Sequence, residues 1–150
     1  MTDDANDPGA PTDERVLVPL SAEECRRLVP REGIGRVVFV DTRGPVALPV
    51  NYVVDRGDFV FRTEVWSSLL ASTSSGRVSF EVDEIDVQQR LAWSVLATGT
   101  VSRVDDPAEL RHAMLLHPTP WARGARDQYL RLTVKTITGR RLVRDDGAGS

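Results

Sequence analysis

The chain has 150 residues but only one cysteine, Cys25, and one lysine, Lys135. A lone thiol forms no internal disulfide and builds no thiolate metal site by itself. Its simplest use is as a small buried side chain on a helix. With lysine nearly absent, arginine supplies the positive charge, spread along the chain without a concentrated run, and the formal net charge is −3. Nucleic-acid binding needs a basic face, so this composition argues against it. Histidine is scarce as well. His112 and His117 lie five apart, do not share a helix face and have no third ligand at suitable spacing, so no metal site is expected. No apolar run approaches the roughly 18 residues that would mark a membrane span. The opening MTDDANDPGAPTDE is acidic and lacks a basic segment followed by an apolar core, which argues against secretion and for a cytoplasmic protein.

What is present fits one soluble globular domain: 41% apolar and 27% charged residues in a chain long enough for one good core. Residues 1–14 and 145–150 are nearly devoid of apolar groups and are expected to be mobile tails flanking a domain of residues 15–144.

The stretch Val46 to Thr63, VALPVNYVVDRGDFVFRT, reads as two strands closed by a turn. Its first arm is rich in Val and Tyr, its second alternates apolar and polar groups, and Asp55-Arg56-Gly57-Asp58 places a glycine where a hairpin needs positive φ. Pro49 and Asn51 are out of place in such an arm. They mark either an irregularity on an edge strand or backbone and amide groups presented to a ligand.

Upstream, Ser21-Ala-Glu-Glu24 is a capping box opening a short helix to about Val29, stopped by Pro30, with Leu20, Cys25 and Leu28 toward the core. A strand at Val37 to Asp41 and a turn at 42–45 follow. Downstream, Glu64 to Ser72 changes to a helical period, with Val65, Leu69 and Ser72 on one face and Trp66, Ser67 and Ser68 in the first turn. Free N–H groups and hydroxyls at such a helix start can cradle a phosphate or merely cap the helix.

Gly76 to Val82 alternates as a strand, and the acidic residues after it, Asp83, Glu84 and Asp86, read as a solvated loop. Leu91 to Val104 is the longest strand, with Gly99 marking a bulge or close approach. Pro107 opens a helix to about Leu116 with Leu110, Met114 and Leu115 inward. Two final strands, Tyr129 to Thr136 and Ile137 to Arg144, are expected to meet at a turn at Thr138-Gly139. Six or seven mostly antiparallel strands and two or three short helices predict a mainly β fold, a small β-barrel with peripheral helices.

GIGRVVFV, LPVNYVVD…FVFRT, VSFEVDEID, WSVLATGTVSRV and PWARGARD…ITGRRL, in this order between Leu20 and Leu142, resemble the short bacterial branch of the pyridoxamine 5'-phosphate oxidase-like, flavin-binding split-barrel family. The resemblance implies a homodimer of six-stranded antiparallel split barrels with two FMN sites in grooves between the subunits. On that pattern Pro49, Val50, Asn51 and Tyr52 lie along the isoalloxazine. Arg62 and Thr63 approach the ribityl phosphate, Ser67 and Ser68 complete the phosphate site, and Trp93 and Ser94 come from the long strand of either subunit. The chain departs from the family where a glycine and a lysine are usual after the hairpin threonine, since Trp66 and Ser68 stand there. A lost charge-assisted phosphate contact costs about 1.5–3 kcal/mol, roughly one to two orders of magnitude in affinity.

Two functions compete on this reading. One is a flavin-dependent oxidoreductase acting on a small molecule, with no catalytic acid or base to nominate. The other is a non-catalytic dimer holding a deazaflavin coenzyme, haem or another planar ligand; a deazaflavin's acidic tail would need a basic groove such as Arg123, Arg126, Arg140 and Arg141 could form.

Overall fold

A computed structural model of the protein describes residues 14–64, 66–73, 77–116 and 128–145, and at positions 66, 68, 72 and 73 the backbone alone. Seven antiparallel strands form one sheet: β1 (Arg15–Leu20), β2 (Glu32–Asp41), β3 (Gly44–Asp55), β4 (Asp58–Thr63), β5 (Val78–Asp86), β6 (Leu91–Arg103) and β7 (Gln128–Arg144). Their order is β1-β7-β4-β3-β2-β5-β6, and β6 pairs back onto β7. Six strands therefore close a ring and leave no open edge at that seam.

Seven strands replace the six that the resemblance implies. The addition is β1, which pairs with the C-terminal half of β7 from Arg15↔Arg144 to Leu20↔Gly139. Six residues ending in Pro-Leu carry too weak a pattern to announce a strand; the exposed flank of β7 makes them one. The two expected final strands are likewise a single strand of 17 residues. Gly139 marks a close approach rather than a turn: a Cβ there would sit 2.7 Å from Cys25 Sγ and 2.9 Å from the Ser94 carbonyl oxygen.

The hairpin turn forms as its sequence predicts, with Arg56 at φ 54° and Gly57 at φ 85°, two left-handed residues in succession. The bulge predicted at Gly99 is present, as a register shift between Thr98 and Gly99 against β7. β5 starts two residues later than expected and continues to Asp86, so the acidic residues Asp83, Glu84 and Asp86 belong to a strand rather than a loop.

Alternation along the strands fills the barrel with Val37, Phe39, Val50, Tyr52, Phe59, Phe61, Phe80, Val82, Ala97, Leu130 and Leu132. Phe59 and Phe80 stack at 4.5 Å between ring centroids, and Tyr52 meets both rings edge-on. Helix α1 (Ala22–Leu28) has the full capping box, with Ser21 Oγ accepting from the Glu24 amide and the Glu24 carboxylate accepting from the Ser21 amide. It seats the fully buried Cys25 against β7 at Gly139. Helix α2 (Trp66–Thr73) buries Leu69 in the core.

Helix α3 (Pro107–Leu116) turns a different side to the barrel than expected. Ala113 is fully buried, whereas Met114 is 50% and Leu115 77% exposed. Its orientation is set by polar anchors: His112 lies 3.1 Å from Asp55, and Glu109 meets Arg56 and Arg131. Of the expected tails, residues 1–14 and 145–150, all but the two innermost lie outside the described residues; those two are tied rather than loose, since the Asp145 amide donates to the Glu14 carbonyl at 3.0 Å. Among the described residues no helix is long and apolar enough to cross a membrane.

Candidate functional site

Strand β3 is paired on both sides only over its last residues. β2 accompanies it from Gly44 to Val53, but β4 joins it only from Tyr52↔Phe61 to Asp55↔Asp58. From Gly44 to Asn51 its other edge has no strand partner among the described residues, so Pro49, lacking an N–H, costs no ladder bond there. Continuing the register one step past Tyr52↔Phe61 sets Asn51 level with Arg62, where the two strands part. The unpaired edge of β3 at Asn51 therefore faces the end of β4, where Arg62 and Thr63 close the strand, and the exposed Ser67 lies in the first turn of α2 that follows.

Period-two alternation divides the predicted residues between two faces. Pro49 and Asn51 face outward, whereas Val50 and Tyr52 point into the core at 8% and 1% exposure. The Tyr52 hydroxyl donates to the Pro30 carbonyl at 3.2 Å, and burial pushes its pKa up to about 12. From this strand, then, only Pro49 and Asn51 can address a ligand with side chains. Arg62 holds its guanidinium carbon 5.0 Å from the centre of the Tyr129 ring, its cross-strand partner. Thr63 is buried at 6% exposure. The side chain of Ser68 lies outside the described residues, as do Arg123 and Arg126.

Trp93 and Ser94 lie elsewhere on the barrel. The registers place Pro49, Arg36, Glu81, Leu96 and Thr138 in one row across β3, β2, β5, β6 and β7. At about 4.8 Å per strand, Pro49 is about 14 Å from Leu96. At the far end of this face, Leu17, Ile85, Leu96, Ser94, Thr138 and Arg140 line a groove of about 810 Å³, within the range of small-molecule sites. Trp93 forms part of its wall, and its indole N–H donates to Glu84 at 3.1 Å. Between the two ends, Arg36 bonds Glu81 at 2.8 Å and Asp83 at 3.3 Å, and these bonds, Glu81's first, hold its pKa above the ordinary value. The chain thus carries two groups of predicted residues, Pro49, Asn51 and Arg62 at one and Trp93, Ser94 and Arg140 at the other, separated by β2 and β5.

Leu96 and Thr138 were not legible as groove residues. Alternation shows that they face outward, but only the register of β6 on β7 sets them side by side. Among the described residues no group of three His, Cys, Asp or Glu could hold a metal ion.

The family profile described as pyridoxamine 5'-phosphate oxidase matches residues 21–141, most of the chain, from α1 through all but the last three residues of β7 and without the added β1. The chain belongs to the pyridoxamine 5'-phosphate oxidase family. Within it, the uncharacterized protein Rv0080 of Mycobacterium tuberculosis is 33% identical over 142 residues, covering 91% of this chain and 92% of that protein. The solved FAD binding protein from Mycobacterium smegmatis is 32% identical, with a TM-score of 0.66 over 83% of this chain and 98% of its own. A second solved protein from Mycobacterium smegmatis, which binds FAD and haem, shares the fold at TM-score 0.62 and 17% identity, over 87% of this chain and 79% of that one. The split-barrel fold of the pyridoxamine 5'-phosphate oxidase family is the one described above, with closure through β6 and β7 and an opening between β3 and β4.

Proposed function

We propose that this chain binds a flavin nucleotide in a groove completed by a second copy of itself, and that the pair works as a flavin-dependent oxidoreductase on a small molecule. The observation that carries this reading is the separation of the two clusters on one outer face, one with an unpaired strand edge and Asn51, the other with an apolar groove and aimed polar groups. A two-fold partner would lay one cluster against the other and cover exposed Leu96 and Ile85, at 40% and 64% exposure.

The residues present fit a flavin. A planar ring suits the apolar walls, the free edge of β3 and the Asn51 amide can satisfy its polar rim, and Arg62 with Ser67 and Ser68 would hold the phosphate end. The similar protein at 32% identity binds FAD, which favours FAD over FMN for this chain. A bound flavin supplies the electron or hydride transfer; the protein's part is to bind, orient and shield the ring from water.

A second reading, a non-catalytic dimer holding a flavin, a deazaflavin coenzyme or haem, has one observation in its favour. The groove carboxylates Glu81 and Asp83 are both tied to Arg36, so the groove offers no ready general acid or base among the described residues.

Visible spectra during titration with FMN, FAD, a deazaflavin coenzyme and haem, paired with analytical ultracentrifugation, test the proposal. A flavin spectrum with micromolar-order affinity on a dimer, lost together with the dimer in Leu96→Glu, supports it. A monomer that binds no flavin removes it. Ser68→Lys should tighten FMN by about tenfold or more if the phosphate lies at the start of α2, and unchanged affinity removes that placement.

A further inference from the structure

Midway between the two groups of predicted residues, the outer face of the barrel carries an ion cluster, Arg36 on β2 with Glu81 and Asp83 on β5. A single guanidinium nitrogen, Nη1, donates to both carboxylates, at 2.8 Å to Glu81 and 3.3 Å to Asp83. Among the described residues Nη2 and Nε have no partner, and each carboxylate has its second oxygen to spare. Arg36 and Glu81 are also cross-strand neighbours, so they stand one strand spacing apart, about 4.8 Å. Unused donors and unused acceptors thus sit side by side on an exposed face. Such a surface is complementary to its own copy.

The closed ring of strands makes this face convex, so a second copy meets it first along the crest between β2 and β5 and leaves a groove on either flank. A two-fold axis that lays Pro49 and Asn51 of one copy over Ser94 and Leu96 of the other must run along the strands on that midline, because β3 and β6 lie equally far to either side of it. The same rotation sets Arg36 opposite the partner's Glu81. We infer that these two residues form the ionic centre of the subunit interface: each Arg36 joins its own Glu81 and the partner's Glu81 in a square of four alternating charges, which selects a second copy of this chain as the partner. Facing sheets lie about 10 Å apart, a gap that an arginine and a glutamate reaching from opposite sides can close. The spare Nη2 and Nε then meet the spare carboxylate oxygens, and Asp83 steadies Arg36 from within its own chain. A different barrel with an apolar or like-charged residue at either corner would leave a covered charge unpaired, and that mismatch supplies the selectivity. The square rests on the dimer of the proposed function and adds to it the contact that fixes register and partner.

Sedimentation velocity over a concentration series tests it, with the full chain as wild type, as Arg36→Glu, as Glu81→Arg and as an equal mixture of the two variants. Each reversal places like charges at the corners and should weaken self-association by about 100-fold or more. The mixture should recover the dimer to within about tenfold of wild type, because a mixed pair sets opposite charges against each other across the interface at both corners while the pair within each chain stays broken. A contact confined to one chain gives no such rescue. Reversed variants that remain dimeric, or a mixture that remains monomeric, overturn the inference and leave the dimer itself intact. Wild type that is monomeric at every concentration removes the dimer and the square together. Circular dichroism checks that the sheet is retained. Should a reversal lose it, Arg36→Gln carries the test: association about tenfold weaker is expected, and unchanged association overturns the inference.

Discussion

Replacing Arg131 with methionine should destabilise the protein by about 3 kcal/mol, through the anchor that joins α3 to the barrel. The Arg131 side chain is 15% exposed and bonds the Asp55 carboxylate at 2.6 Å and the Asp55 carbonyl at 3.3 Å, with Asp58 and Glu109 each at 3.5 Å. Asp55 is itself nearly buried, so the substitution strands a carboxylate. Orphaning one member of a buried pair costs about 3–5 kcal/mol, and the low end applies because His112 at 3.1 Å and Arg56 at 3.5 Å remain beside Asp55. At about 2–4 °C per kcal/mol for a chain of this size, the melting temperature should fall by about 6–12 °C. Urea unfolding of wild type, Arg131→Met, Asp55→Asn and the double variant closes a thermodynamic cycle, in which the coupling should be about 1–3 kcal/mol at pH 7. The pH dependence checks the cause. Burial pushes the Asp55 carboxyl up, but hydrogen bonds from Arg131 and His112, with the fields of Arg131 and Arg56, outweigh it and leave the pKa below the ordinary 3.8. A depressed folded pKa means that this contribution is present above the unfolded value and lost as pH falls through the folded one. The stability gap between wild type and Asp55→Asn should therefore close below about pH 4. A cost under about 1 kcal/mol, or no coupling at pH 7, refutes the reasoning.

Two further outcomes follow from the same geometry. Gly99→Ala drives its Cβ into the Thr133 carbonyl and should cost about 3 kcal/mol or more, whereas Gly33→Ala meets only the Tyr52 side chain at 3.4 Å and should cost under about 1 kcal/mol; equal melting temperatures for the two would contradict the bulge packing. Tyr52, with its pKa raised from 10.0 to about 12, contributes stability that is complete below pH 10 and lost as pH rises toward 12; a melting-temperature profile over that window should fall in wild type and flatten in Tyr52→Phe, which itself costs about 0.5–1.5 kcal/mol for the lost bond to Pro30.

Local chemistry made much of this protein legible from its residue order. The capping box at Ser21 and Glu24, the positive φ at Gly57, the irregularity at Gly99 and the alternation through VSFEV all depend on neighbours within a few positions, and all are present as the sequence predicts. Readings that failed depended on partners far away in the chain. Gly139 looks like a turn until Cys25 and the Ser94 carbonyl are packed against it, RVLVPL becomes a strand only because β7 offers it a ladder, and α3 turns Ala113 inward because Asp55 and Arg131 hold its polar side. The site divides in the same way. The oddity of Pro49 and Asn51 is visible in the sequence, because a proline and an asparagine in a strand conflict with local propensity. Which of the neighbouring side chains can reach a ligand, and that Arg36 and Glu81 stand side by side on the outer face, depend on strand register and barrel closure, and those are decided only when residues far apart in the chain pair.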